Sequence, residues 1–156
     1  MWALESIQAP EKNQIIEKIK LPEEIADSPF LNEFYGTVRW SVKSIFNGYL
    51  GWFNGNIADL DPLSREEEAT RISLMVGGSE NLYIALENAI DEQDMQWALQ
   101  LSDHLIALEY KLKEVSKLRA IAAEYIGQRA PNPNKRNYFL TSAMELNPNF
   151  ELENII

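Results

Sequence analysis

Aromatic side chains are crowded into one short stretch of this sequence, residues 33–56. Seven aromatic residues and four glycines fall within these 24 positions. Aromatic side chains carry the largest apolar area per residue, and monomeric proteins rarely expose large contiguous apolar patches. A chain of 156 residues has room for one core of modest size. We therefore expect a second surface, either a partner protein or a lined cavity, to cover part of this stretch.

Apolar residues recur at intervals of three and four positions through the same stretch, which is the spacing of one face of an α-helix. These positions are Phe34, Val38, Val42, Ile45, Tyr49 and Phe53. The pattern predicts a long helix from about residue 30, where Pro29 suits the first turn, to residue 53. Other aromatic residues lie off this stripe, so the helix should be buried on more than one side.

Three glycines interrupt the predicted helix: Gly36, Gly48 and Gly51. Glycine inside a helix destabilises it by about 1 kcal/mol relative to alanine. A second backbone that approaches closely would offset this cost, so we expect close packing at these positions. Asn54, Gly55 and Asn56 tolerate the left-handed conformation and should end the helix.

Capping signals predict further helices after this stretch. Ser64 and Glu67 match a capping box at the start of a helix over about 65–76, which Gly77–Gly78 should end. Ser79 is the expected N-cap of the next helix, and Pro148 stops a last helix over Lys135–Leu146.

Between these helices the pattern suggests a repeat. The predicted turns at 93–94 and 127–128 are separated by about 34 residues, a spacing that resembles a tetratricopeptide (TPR) unit. No segment alternates as a strand does. We predict an all-α fold, a TPR-like stack of helical hairpins with a long aromatic-rich first helix. Its predicted organisation is an N-terminal arm (1–29), a helical domain (30–147) and a C-terminal tail (148–156).

Composition excludes several classes of function. The net charge of −10 disfavours binding to nucleic acid. The chain has no cysteine, so thiol catalysis and thiolate metal sites are absent. The N-terminal residues lack the pattern of a signal peptide, and no window is apolar enough to span a membrane. We expect a cytoplasmic protein, or a periplasmic one if the chain was cut from a longer secreted protein.

Candidate catalytic residues are sparse. His104 is the single histidine and lies on an amphipathic segment, so we interpret it as structural and expect no metal site and no catalytic residue in this chain. Tyr35 and Arg39 stand four residues apart, which would place a phenol and a guanidinium on one helix face, able to grip a tetrahedral oxyanion. A structural role for Arg39, stacked on Trp40 or paired with Glu33, is the alternative.

The aromatic stretch resembles a known family. The resemblance is carried by residues 34–43 (FYGTVRWSVK), 47–56 (NGYLGWFNGN) and 60–63 (LDPL). It continues in order and spacing at 77–78 (GG), 94–98 (DMQWA), 104–105 (HL) and 136–141 (RNYFLT). These segments resemble the dimerisation domain of alkyl sulfatases of the metallo-β-lactamase superfamily, and the resemblance covers roughly residues 20 to 147.

In that family a zinc-binding hydrolase domain cleaves alkyl sulfates to alcohol and sulfate, and the helical domain intertwines two subunits. The His-x-His-x-Asp-His zinc motif is absent from this sequence. The resemblance therefore implies a homodimer rather than catalysis, with zinc expected only in a separate catalytic domain. It also implies that Tyr35 and Arg39 contact the sulfate group. The expected dimer interface comprises Phe34, Trp40, Phe46, Tyr49, Trp52 and Phe53.

Three hypotheses follow. The first is a dimerisation module without a zinc site of its own. The second is a fragment or subunit of an alkyl sulfatase, which works with a metallo-β-lactamase-fold catalytic domain. The third is a carrier that holds an alkyl chain between aromatic side chains.

Overall fold

All regular structure is helical in residues 12–26 and 28–147, the part of the chain that the computed structural model describes. The helices there are α1 (Lys12–Lys18), α2 (Glu23–Ala26), α3 (Val38–Leu50), α4 (Arg65–Met75), α5 (Ser79–Asp91), α6 (Met95–Ala107), α7 (Leu112–Arg129) and α8 (Pro133–Leu146), with one 3-10 turn at Ile57–Asp59. The all-α prediction is confirmed. The TPR-like description stays a prediction. One of the two turns on which it is based, at 127–128, is wrong, because Gly127 lies inside α7.

The chain divides after Pro62 into two compact units. The N-terminal unit contains α1 to α3, and the C-terminal unit contains α4 to α8. The domain boundaries predicted at residues 29 and 147 stay predictions. The tail predicted for residues 148–156 lies outside the described residues.

The core of the C-terminal unit is formed by three successive helices, α5, α6 and α7. Its buried residues are Leu82, Leu86, Ala89, Met95, Ala98, Leu101, Leu105, Val115 and Ala122. Each helix packs against the next one in the chain, with the most extensive contact between α7 and α8. Small residues line that contact: Ala123, Gly127 and Ala143 are buried there. The two backbones therefore approach closely, and Gly127 has Leu140 of α8 directly against it.

Helix α4 begins as the sequence predicts. The Ser64 side chain accepts a hydrogen bond from the Glu67 backbone N–H (3.2 Å), and the Glu67 carboxylate accepts one from the Ser64 N–H (3.1 Å). This capping box satisfies two backbone donors at the helix start. The predicted cap of α5 is wrong, because Gly78 occupies the N-cap position and Ser79 is the first helical residue. The Ser79 hydroxyl instead hydrogen-bonds that of Ser73 (3.0 Å).

Helix α3 is shorter than the predicted helix over 30–53. The Thr37 hydroxyl accepts a hydrogen bond from the Trp40 N–H (3.0 Å), and the Glu33 carboxylate accepts one from the Val38 N–H. These two caps start the helix at Val38 rather than near Pro29. At the other end the chain takes a positive φ of 84° at Gly51, a conformation that favours glycine and ends the helix after Leu50.

The expected close packing at three glycines is not formed by the described residues of one copy. A Cβ atom added to Gly36, Gly48 or Gly51 would have nothing within 4 Å. Close approach occurs instead at Gly127. The positive φ explains why Gly51 is a glycine, whereas packing within one copy explains neither Gly36 nor Gly48.

A charged cluster joins the start of α5 to the turn between α6 and α7. Lys111 Nζ contacts Glu80 Oε2 at 2.8 Å, and the Tyr110 hydroxyl donates to the same carboxylate. Lys111 also lies 4.4 Å from the centre of the Tyr83 ring. The hydrogen bond from Lys111, followed by that from Tyr110, lowers the pKa of Glu80 below its ordinary value. Lys111 adopts a left-handed backbone with φ 45°, so this cluster stabilises a turn that L-residues rarely form.

We expect Gly127→Ala to lower the free energy of unfolding by about 1–3 kcal/mol, because overpacking strains a close helix contact. The new methyl group would lie 2.9 Å from Leu140 Cγ and 3.2 Å from the Leu140 backbone nitrogen. Gly48→Ala is the matched control, since its methyl group meets nothing within 4 Å and alanine favours the helix by about 1 kcal/mol. Urea denaturation measures both variants, and equal effects would contradict the close approach of α7 and α8.

The charged cluster predicts a pH-dependent difference in stability. Because the folded pKa of Glu80 lies below its ordinary value of 4.5, its contribution is complete above that pH and is lost as the pH falls through the folded pKa. Glu80→Gln should therefore lower the urea midpoint at neutral pH, and the difference from wild type should shrink as the pH falls below 4.5 and through the lower folded pKa of Glu80. Glu92→Gln, at the other end of α5, is the control. A difference for Glu80→Gln that persists in acid would contradict this assignment.

Candidate interaction surface

Helix α3 has no buried residue among its 13 positions. In the described part of the N-terminal unit, Ile16 is the single fully buried side chain. Helices of globular proteins normally gain most of their stability from an apolar face packed on a core. The apolar stripe predicted for α3 is present, but the chain itself covers it only in part.

An apolar groove runs between α1 and α3. Helix α1 and the residue that follows it contribute Ile15 and Ile19, one helical turn apart, which lie on one face. Helix α3 contributes Val42, Ile45, Phe46, Tyr49 and Leu50. The volume of the groove is about 390 Å³. Its lining side chains are aliphatic or aromatic, so the groove suits an apolar occupant.

The six aromatic residues expected at the interface differ in exposure. Tyr49 and Trp52 expose 86% and 71% of their surface, and Trp40 and Phe34 expose 40% and 37%. Phe46 and Phe53 are half-buried. The Trp52 and Phe53 rings meet edge to face with centroids 5.7 Å apart, so this pair forms one apolar unit beyond the end of α3.

The charge of α3 differs from that of the whole chain. The helix carries Arg39 and Lys43 and no acidic residue, whereas the net charge of the chain is −10. On a helical wheel Arg39 falls between Phe46 and Leu50, and Lys43 falls just beyond Leu50, both at the edge of the stripe away from Ile45 and Tyr49. The apolar stripe is therefore free of charge along its centre.

The structure does not support the helical spacing expected of Tyr35 and Arg39. Arg39 is exposed in the first turn of α3, but Tyr35 precedes the helix by three positions. Four residues of separation therefore do not place the two side chains on one helix face. The Glu33 carboxylate accepts from the Val38 N–H at the helix start, which is a capping role. A sulfate-binding role for Tyr35 and Arg39 stays a prediction.

His104 lies in a surface hollow of about 310 Å³ between α4 and α6, next to Trp97 and Arg65. The neighbouring Asp103 pairs with Arg119 at 2.6 Å. No group of three or more His, Asp or Glu side chains in residues 12–26 and 28–147 could hold a metal ion. No helix in the same residues is both long and apolar enough to cross a membrane. The compartment stays a prediction.

Comparison with known families gives a match over most of the chain. A family model described as alkyl sulfatase dimerisation matches residues 11–149. The chain belongs to this family. The match includes α3 and the groove, and it extends across both units.

Several alkyl sulfatases are similar to this chain. A linear primary-alkylsulfatase from Pseudomonas sp. is 39% identical over 140 residues, which is 89% of this chain and 26% of that protein. An (R)-specific secondary-alkylsulfatase from Pseudomonas sp. is 35% identical over 127 residues, covering 81% of this chain and 19% of that protein. The chain thus spans about a quarter or less of the length of these relatives.

A solved structure has the same fold. The stereoselective inverting sec-alkylsulfatase Pisa1 from Pseudomonas sp. superposes with a TM-score of 0.78 at 33% identity. The match covers 87% of this chain and 22% of that one. The resemblance inferred from the aromatic stretch is thereby confirmed.

Sequence reasoning missed the groove. The periodic run of Ile15 and Ile19 and the stripe of α3 were each visible in the sequence. Their contact joins segments more than twenty residues apart, and no local pattern reports such a pairing. The two isoleucines at 15 and 19, in and just after a short helix, are the available signal, because a helix of seven residues needs an apolar neighbour to form.

Proposed function

We propose that this dimerisation domain forms a homodimer through the aromatic surface, defined as Phe34, Trp40, Phe46, Tyr49, Trp52 and Phe53. The observation that carries the proposal is the absence of any buried residue in α3. A helix of this length whose apolar face is covered only in part has little stability in one isolated copy. A second copy provides the missing cover.

The size of the exposed apolar surface supports this proposal. Burial of a large aromatic side chain removes roughly 150–250 Å² from water. Apolar area contributes roughly 25 cal/mol per Å². Tyr49 and Trp52, with most of their surface exposed, would each contribute several kcal/mol when covered. Obligate homodimers bury roughly 2,000 Å² or more in total, and the aromatic surface with the groove beside it would form the centre of such an interface.

Tyr49→Ala is expected to weaken the dimer by roughly 2 kcal/mol or more, about 30-fold in the dissociation constant, as for a central aromatic contact. Tyr138→Ala is the matched control, because Tyr138 is a tyrosine of similar exposure, 78% against 86%, on α8 of the other unit. Sedimentation equilibrium or light scattering at micromolar concentration measures both.

Two results would contradict the dimer proposal. A monomeric wild-type chain under those conditions would refute it directly. Equal weakening by Tyr49→Ala and Tyr138→Ala would place the interface elsewhere.

We further infer that the dimer serves alkyl sulfate hydrolysis, with zinc held by a metallo-β-lactamase-fold domain outside this sequence. Two features support this inference: the relatives are named alkylsulfatases, and this chain corresponds to about a quarter or less of each. Zinc would activate the attacking water or polarise the sulfate ester in that domain. The present chain would pair the subunits and border the site.

Arg39 and Tyr35 are the residues we propose to bind the sulfate group, Arg39 from the first turn of α3 and Tyr35 from the segment before it. A guanidinium offers two parallel N–H donors to an oxyanion, which a lysine cannot reproduce. In the complete enzyme, Arg39→Lys should lower kcat/KM for dodecyl sulfate by about 10- to 100-fold, the value of one or two hydrogen bonds to a charged group. Lys43→Arg, one turn further along the same helix, is the control and should leave kcat/KM unchanged.

Sulfate release from dodecyl sulfate with added zinc measures these rates. Unchanged kcat/KM in Arg39→Lys would exclude the sulfate role without affecting the dimer proposal. Hydrolysis by the present chain alone would overturn the assignment of zinc to another domain.

A further inference from the structure

Two apolar features of the N-terminal unit are left partly uncovered by the described residues of one copy. One is the groove between α1 and α3, and the other is the Trp52–Phe53 pair that follows α3. Both are apolar, both are exposed, and they are adjacent in the chain, since Leu50 lines the groove two residues before Trp52.

We propose, on the basis of the homodimer proposed above, that the groove of one copy receives the Trp52–Phe53 pair of the second copy, and the reverse. The two α3 helices then cross antiparallel, with the two-fold axis beside Tyr49. This arrangement makes the groove a self-recognition site.

Symmetry sets the register of this contact. In a two-fold dimer, if residue i of one copy contacts residue j of the other, then j also contacts i. Antiparallel helices that cross at Tyr49 bring together residues at equal distances on either side of it, at about 1.5 Å per residue. Trp52 follows Tyr49 by three positions and lies beyond the end of α3 at Leu50, so it extends over the part of the second copy's α3 that precedes Tyr49, where Ile45 and Phe46 line the groove.

The apolar stripe suits such a crossing. Ile45 and Tyr49 lie one turn apart on one face and expose 60% and 86% of their surface. The two basic residues of α3 lie on the flank, so the crossing brings no like charges face to face on the axis. Apart from the two Tyr49 hydroxyls, the groups desolvated at the centre of the contact are therefore apolar.

A second copy explains more of the surface than a small ligand does. An alkyl chain could fill a groove of about 390 Å³, but it would leave Trp52 with 71% of its surface in water. The second copy covers the groove and the Trp52–Phe53 pair in one contact. Together with the rest of the aromatic surface, this contact forms the apolar centre that an interface of roughly 800 Å² per partner requires.

Cysteine cross-linking tests the register, because the chain has no cysteine of its own. A disulfide forms only when the two Cα atoms come within roughly 7 Å. Tyr49→Cys should cross-link with itself under mild oxidation. Ile45→Cys mixed with Trp52→Cys should give a disulfide-linked pair that neither variant gives alone. Lys43→Cys, on the flank of the same helix, is the control and should remain uncross-linked.

The outcomes separate this proposal from the dimer itself. If light scattering shows dimers but neither Tyr49→Cys nor the mixed pair cross-links above the Lys43→Cys control, the groove contact is refuted and the dimer stands. If the wild-type chain is monomeric, the proposed function fails first. Calorimetric binding of decyl sulfate to the intact dimer, abolished by Ile45→Glu without loss of the dimer, would show an open groove and would also overturn the contact.

Discussion

Burial of apolar surface is divided unequally between the two units of this chain, and the rest of the structure depends on that inequality. The C-terminal unit has a continuous core along α5, α6 and α7. The described part of the N-terminal unit has Ile16 alone as a fully buried side chain. Since apolar burial is the main stabilising term in folding, the proposed homodimer would supply stability that the described part of the N-terminal unit does not obtain from its own core. Its exposed aromatic residues are consistent with that requirement.

The two units use different side chains to pack helices. Leucine and alanine dominate the core of the C-terminal unit, and small residues let α7 and α8 approach closely at Gly127. The N-terminal unit presents large rings on a helix without a buried residue. Small side chains suit permanent contacts within one chain, whereas exposed rings supply large area for contacts between chains. Small residues therefore mark the contacts within one chain, and exposed aromatic residues mark the proposed contacts between chains.

Where signals are local, the sequence predicts the fold well. The capping box of Ser64 and Glu67 gives the start of α4, because both partners lie within one turn. The start of α3 is mispredicted by eight residues, since apolar periodicity extends to Phe30 while the caps at Thr37 and Glu33 begin the helix at Val38. Periodicity shows which face of a segment is apolar, whereas capping decides where the backbone becomes helical.

Features that depend on distant partners could not be predicted. The close approach at Gly127 requires knowledge of Leu140 on the next helix, and the groove requires the pairing of α1 with α3. The expected pairing of Tyr35 with Arg39 assumed a helix that has not yet begun at Tyr35. In each case the missing information is the identity of a neighbour outside the local turn.

The charge distribution has a consequence for assembly in different buffers. Each copy carries a net charge of −10, so two copies repel each other at long range. Dissolved ions shorten this repulsion to roughly 10 Å at 0.1 M ionic strength. An interface that is apolar at its centre loses little from the same screening. Added salt should therefore tighten the pairing of subunits, the opposite of its effect on complexes held together by opposite charges.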